Sequence, residues 1–141
     1  GTKMGCVAMT GRSVNARSGV WLRREIPHLG VVIGDREARV GPLVRAGESP
    51  CLSCVEMTAM DVDPARLAML AQLPGKPCGG ESALVGAEVA TIVARVLVDQ
   101  LEPAEVMRLD SVTGLWTAER SSTGSRCSCR ALRENETVTA A

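Results

Sequence analysis

Apolar residues fall into short runs separated by polar and turn-forming positions, and the spacing within each run predicts an element. In "HLGVVIGDREARVGPLV" two β-rich runs, Leu29–Ile33 and Ala38–Val44, flank Gly34-Asp35, a pair suited to a tight reversal. The pattern predicts a β-hairpin. Upstream, Ala16, Val20 and Trp21 share one side of a predicted short helix over Ser13–Glu25. Gly19 weakens that helix by about 1 kcal/mol relative to alanine. Residues 1–12 carry no pattern that assigns a structure.

Beyond the hairpin, "RAGESP" is turn-rich and delivers the chain to Cys51 and Cys54, which are expected on a knuckle following a strand. Asp63-Pro64 reads as N-cap and first helical position, with Leu67, Leu70, Ala71 and Leu73 as the apolar side before Pro74-Gly75 ends the helix. "PGKPCGG" is a flexible connection, and Ser82 caps a long helix predicted to run to about Glu102. Its polar residues Glu88, Thr91, Arg95, Asp99 and Glu102 recur at steps of three and four, a single polar stripe on an otherwise apolar cylinder. Such a helix is expected to be buried on most sides. "EVMRLDSVTGLWTAERS" then predicts a second hairpin around Ser111–Gly114, leading to Cys127 and Cys129, and residues 131–141 read as a loose tail. Two hairpins with two or three helices make an α/β or α+β domain over residues 13–130.

The 141 residues are close to the size of one ordinary domain. With no Phe or Tyr, and only Trp21 and Trp116, the core has to be built from aliphatic side chains and methionine. Sixteen basic residues balance sixteen acidic ones, which argues against nucleic acid as a partner. No N-terminal apolar run has the length of a signal peptide, and the most apolar stretch, Ala83–Leu101, carries Glu88, Arg95 and Asp99, costly at a bilayer centre. No membrane role and a cytoplasmic location are expected, and there thiols stay reduced.

Six cysteines in motif-like pairs therefore read more naturally as metal ligands than as a disulfide framework. Zinc takes tetrahedral thiolates, and a C-x-x-C pair wraps one corner of the ion while a distant pair completes it. Cys51 and Cys54 fit the first half-site, and Cys127 and Cys129 are the candidates for the second, although C-x-C is a less regular spacing. A closed four-sulfur site has no open position for water, so such a zinc is structural. The alternatives are ordinary thiols or a single disulfide. Cys6 and Cys78 remain outside the set, His28 reads as a structural residue at a strand edge, and Asp61 as a solvated loop residue. No G-x-G-x-x-G or Walker-type loop offers a phosphate site.

The segment "IPHLGVVIGDREARVGPLVRAGESPCLSCVEMTAMDVDPARLAMLAQL", the long Ala/Val helix, and "LDSVTGLWTAER" running into "CSC" together resemble the C-terminal half of ThiF-like proteins. These belong to the ubiquitin-activating-enzyme-like superfamily. More narrowly, the chain is similar to the cyclodehydratase partner proteins of thiazole/oxazole-modified microcin clusters. The resemblance implies a partial, Rossmann-related mixed sheet and a structural zinc on Cys51, Cys54, Cys127 and Cys129. It also implies a part in maturing a ribosomal precursor peptide, with a modifying enzyme or a second copy of the chain as partner. Full-length relatives carry an earlier nucleotide-binding-like half and often a peptide-clasping module, neither of which has a counterpart in these residues. The His-Pro that commonly precedes the last cysteine pair is replaced by Gly124-Ser125-Arg126. A non-catalytic scaffold is the expected function. The alternatives are an ATP-dependent adenylyltransferase or cyclodehydratase subunit, and a thiol-based metal-handling or redox protein. A chain that starts midway through the family pattern is also expected to expose a sheet edge or helix face.

Overall fold

A computed structural model describes residues 5–10, 15–72, 82–98 and 104–129. The elements are β1 (Gly5–Thr10), α1 (Asn15–Arg23), β2 (His28–Ile33), β3 (Glu37–Val44), α2 (Leu52–Val62), α3 (Arg66–Ala71), α4 (Ala83–Leu97), β4 (Glu105–Asp110) and β5 (Trp116–Arg120). The strands form one mixed sheet in the order β1-β2-β3-β4-β5. β1 pairs parallel with β2, which requires the crossover that α1 supplies, and the remaining neighbours are antiparallel.

Both predicted hairpins are present. The first closes where the Gly34 amide donates to the Glu37 carbonyl at 2.7 Å. In the second, Asp110 Oδ1 accepts from the amides of Val112 (2.8 Å) and Thr113 (3.2 Å), and Gly114 sits at φ 73°, a conformation that suits glycine. β1 and α2 are elements that the pattern did not predict. The side chains that α2 buries, Leu52, Cys54 and Glu56, are spaced by two and include a carboxylate, so they carry no helical periodicity.

Alternation in β2, β3 and β4 sorts the core onto the two faces of the sheet. On one face Leu29, Val31, Ala38, Val40, Leu43 and Leu109 pack beneath Val85, Val89, Ile92 and Val96 of α4. On the other, Val44 and Leu52 pack with Cys51, Cys54 and Cys129, flanked by Trp21 and Leu22 of α1. Two glycines allow close approach. A Cβ on Gly30 would lie 2.7 Å from the Leu52 side chain, and one on Gly41, at φ 109°, would collide with the Glu105 carbonyl oxygen on β4.

The expectation that the long helix is buried on most sides is not met. Ser82 caps α4 as predicted, its Oγ accepting from the Val85 amide, but the helix buries a single stripe, because one sheet face can cover only one side of a cylinder. Leu84, Leu97 and Val98 are 71%, 53% and 63% exposed. Its expected extension toward Glu102 lies outside the described residues. Asp63 does cap the turn into α3, accepting from the Ala65 amide at 3.1 Å, but Leu67 and Ala71 of the expected apolar side are exposed. Among the described residues no helix is long and apolar enough to cross a membrane.

His28 is not at a sheet edge. It opens β2, an interior strand, and is buried against Trp21 with ring centroids 5.6 Å apart. Its Nδ1–H donates to the Ile26 carbonyl at 2.8 Å, while burial holds its pKa below the ordinary histidine value. A neutral buried imidazole favours folding above the unfolded-state pKa of about 6.5, and that contribution fades as pH falls below it because only the unfolded chain gains the proton. We therefore expect the stability advantage of the wild type over His28→Asn to shrink on acidification, measured by urea unfolding at several pH values. A gap independent of pH would refute this. Gly41→Ala is expected to cost at least about 2 kcal/mol, from positive φ together with the backbone collision, in the same assay.

Candidate metal centre

The end of β3 sets the first cysteine pair. After Val44 the chain turns through Gly47, at φ 71°, and buried Ser49 ties the turn: its Oγ accepts from the Arg45 amide (2.8 Å) and donates to the Leu43 carbonyl (3.1 Å). Pro50 then presents Cys51 as the N-cap residue of α2, and Cys54 follows one turn later. The two cysteines therefore stand at a helix N-terminus rather than on an isolated knuckle. The second pair arrives from β5 through residues 121–126, where the Cys127 amide donates to the Gly124 carbonyl at 3.0 Å.

The two pairs form one cluster. Cys51 Sγ lies 3.7 Å from Cys54 Sγ and 3.4 Å from Cys127 Sγ, and Cys54 Sγ lies 3.6 Å from Cys129 Sγ. All four sulfurs fall within 4.8 Å of one another. A tetrahedron of thiolates about 2.3 Å from a central zinc has edges of about 3.8 Å, so the donor set fits such an ion closely. The separations are far beyond the S–S bond length of about 2.05 Å, so these are free thiols and not a disulfide. Cys51, Cys54 and Cys129 are buried and Cys127 is half-buried, which leaves the cluster one partly open side.

Packing thiols together in an apolar pocket penalises ionising them. Burial pushes the Cys129 thiol up to about 11, reinforced by its contact with Cys54, and burial likewise drives Cys51 well above its ordinary value. Burial opposes ionisation of Cys54 too, but the backbone amides of Gly124 and Cys51 and the neighbouring thiols outweigh it and hold its pKa below the ordinary value. One sulfur is thus prepared to carry charge, while Cys51 and Cys129 at least stay protonated near neutral pH until a cation compensates them.

Three ion pairs that the sequence did not disclose brace this region. Glu56, buried on α2, accepts from Arg39 of β3 at 3.3 Å and from Arg66 of α3 at 3.2 Å, tying sheet and both helices together. Asp61 is solvated as expected but lies on α2 rather than in a loop, and it pairs with Arg126 at 2.7 Å, linking α2 to the loop that carries the second cysteine pair. Both partners are 68% exposed, so this contact is worth at most about 1 kcal/mol. Its signal was the Gly124-Ser125-Arg126 departure, whose arginine finds a carboxylate. Cys6 sits in β1 paired with Leu29, and Cys78 lies outside the described residues.

A groove of about 320 Å³ runs between α2–α3 and β4–β5, floored by Val55, Ala59 and Val106. Of the three arginines that line it, Arg66 is engaged by Glu56, and Arg108 by Glu119 and Glu37.

If a divalent ion occupies the cluster, its binding expels protons from the thiols, so apparent affinity falls as pH falls. We expect competition with a chromogenic chelator to give weaker binding near pH 6 than near pH 8. Equal affinity at both would contradict thiolate ligation. Cys54→Ser is expected to weaken binding by more than the roughly 10–100-fold that a lost supporting hydrogen bond costs.

No protein-family model matches the chain, and no curated protein matches it. Solved structures do. A chain of the E. coli microcin synthetase McbBCD complex matches with a TM-score of 0.69 at 14% identity, over 89% of this chain and 52% of that one. E. coli MccB crystallised with ATP matches with a TM-score of 0.57 at 16% identity, over 90% and 39%. The microcin C7 biosynthetic enzyme MccB in complex with N-formylated MccA matches with a TM-score of 0.58 at 15% identity, over 91% and 41%. The chain thus spans about half of the McbBCD component and about two fifths of MccB. At these identities the likeness is one of fold: this chain has the fold of part of the microcin-synthetase proteins, as its sequence resemblance implied.

Proposed function

We propose that this chain is a ThiF-like, zinc-stabilised scaffold that serves microcin-type peptide maturation by holding a partner enzyme or precursor peptide, without catalysing a reaction alone. The observation that carries this reading is the four-sulfur cluster, built from residues 75 and 76 positions apart, on a fold shared with microcin-synthetase proteins. Cys51, Cys54, Cys127 and Cys129 would hold the zinc. Four sulfur donors leave a tetrahedral ion no open position, so the ion's role is to fix structure. Zinc-thiolate binding contributes on the order of 10 kcal/mol where the site forms only on folding, enough to support a core without Phe or Tyr. The zinc knuckle joins the loop after β5 to the start of α2, and residues 13–130 act as one unit around it.

Partner chemistry follows by analogy with the neighbours, which include a synthetase complex and an enzyme bound to its precursor peptide. The test has two parts. Elemental analysis of the purified chain is expected to give about one zinc, with four thiols that react only after chelation. The zinc-loaded chain is then incubated with a labelled precursor peptide and ATP, with and without the cognate modifying enzyme. Peptide modification is expected only in the presence of the enzyme, and faster when the chain is added. Modification by the chain alone would overturn the scaffold reading. A metal-free chain with all its thiols reactive would overturn the zinc assignment.

A further inference from the structure

The four sulfurs of the cluster are not equally protected. Cys51, Cys54 and Cys129 are 4%, 0% and 3% exposed, whereas Cys127 is half-buried on the partly open side. Backbone donors guard the first pair further: Cys54 Sγ accepts from the amides of Gly124 and Cys51, and Cys51 Sγ from the amide of Cys54. Donors of this kind stabilise the charge on a thiolate and so lower its nucleophilicity. Gly124 places no side chain over Cys127, where a Cβ would stand 3.8 Å from the Cys127 Cβ. A small oxidant arriving from solvent therefore meets Cys127 first.

What lies behind Cys127 matters as much. Cys51 Sγ is 3.4 Å away, the shortest of the three sulfur contacts. Closing that gap to the disulfide length of about 2.05 Å needs a movement of about 1.4 Å. Residue 127 lies in irregular chain after β5, which can shift by that much without disturbing a strand or a helix. An accessible cysteine with a second sulfur poised beside it is the arrangement of a thiol that is oxidised reversibly.

We propose that the cluster is a peroxide-responsive switch in which Cys127 is the thiol oxidised and Cys51 the thiol that resolves it. The proposal rests on the zinc assignment, because ligation holds the sulfurs as thiolates. The Cys127 thiolate attacks one oxygen of hydrogen peroxide. The O–O bond breaks, Cys127 becomes the sulfenic acid, and hydroxide leaves, taking a proton from solvent. The Cys51 thiolate then attacks the Cys127 sulfur. The S–S bond forms, the S–O bond breaks, and a second hydroxide leaves and is protonated. Two sulfurs have supplied the two electrons that reduce one peroxide to two waters. Only Cys54 and Cys129 remain as ligands, and the ion is released. The new bond joins the same two segments that the ion joined, so the loop after β5 stays tied to the start of α2 while the metal leaves. A dithiol restores both thiols by exchange.

The test adds one equivalent of hydrogen peroxide to the zinc-loaded chain, following free zinc with a chromogenic chelator and mapping disulfides in the digested protein. About one zinc is expected to appear per Cys51–Cys127 disulfide formed, and dithiothreitol to reverse both. Cys127→His keeps four zinc ligands, since imidazole serves alongside thiolates, but removes the oxidisable group, and is expected to slow zinc release at least about 10-fold. Should that variant fail to hold zinc, the disulfide mapped in the wild type decides alone. A zinc-loaded chain that keeps its metal through the treatment overturns the proposal and leaves the zinc assignment standing. So does a first disulfide that joins Cys51 to Cys54 or includes Cys6 or Cys78, or a zinc-loaded Cys127→His chain that loses its metal as fast as the wild type. A chain without zinc before peroxide is added overturns the zinc assignment, and the switch with it.

Discussion

Everything on the α2 side of the sheet depends on the meeting of four cysteine sulfurs. Cys51 and Cys54 are fixed by the turn that Ser49 ties and by the start of α2, while Cys127 and Cys129 lie in irregular chain after β5 with little regular structure to place them. Residues 121–129 are held by the cluster together with the Ser121–Ala104 backbone bond and the Arg126–Asp61 pair. The same sulfurs belong to the apolar cluster beneath Trp21 and Leu22, so the site is part of the core and not an appendage. An aliphatic core without phenylalanine or tyrosine lacks the large contact areas that aromatic side chains supply.

A second constraint acts through Glu56. A carboxylate in that position would be costly alone, and two arginines from different elements make it tolerable. The arrangement sets the distance of α2 from β3 and of α3 from α2, which in turn orients the helix N-terminus bearing the first cysteine pair. The sulfur cluster and the buried ion triad thus sit at opposite faces of the first two turns of one helix. Polar specification there and apolar packing under α4 divide the sheet into two dissimilar faces.

Much of this was legible in the sequence, for reasons that can be stated residue by residue. Both hairpins announced themselves because strand alternation was bounded by Gly34-Asp35 and by Ser111–Gly114, and Ser82 marked the start of α4 by its chemistry. The four cysteines could be chosen from six by pairing alone. What stayed hidden was set by tertiary structure. α2 buries Cys54 and Glu56, types that no hydrophobic period records. α4 is apolar outside its polar stripe, and its composition cannot reveal that only Val85, Val89, Ile92 and Val96 are buried. His28 gave no sign of an interior strand because β1, which covers it, was itself not visible as a pattern.

The sequential strand order has a consequence for how the chain closes. β2–β3 and β4–β5 are local hairpins, and within the sheet they are joined by the short β3–β4 ladder, whose partners such as Val40 and Met107 are far apart in sequence. The sulfur cluster lies across the same gap, since Cys51 follows β3 and Cys127 follows β5, separated by 76 positions. Joining the ends of a loop that long removes about 4 kcal/mol of chain entropy if the link is firm. Ladder and cluster share that single loop-closure cost, so whichever forms first makes the other nearly free of it. An ion held by the four sulfurs would therefore act as a clasp on a sheet made of two halves.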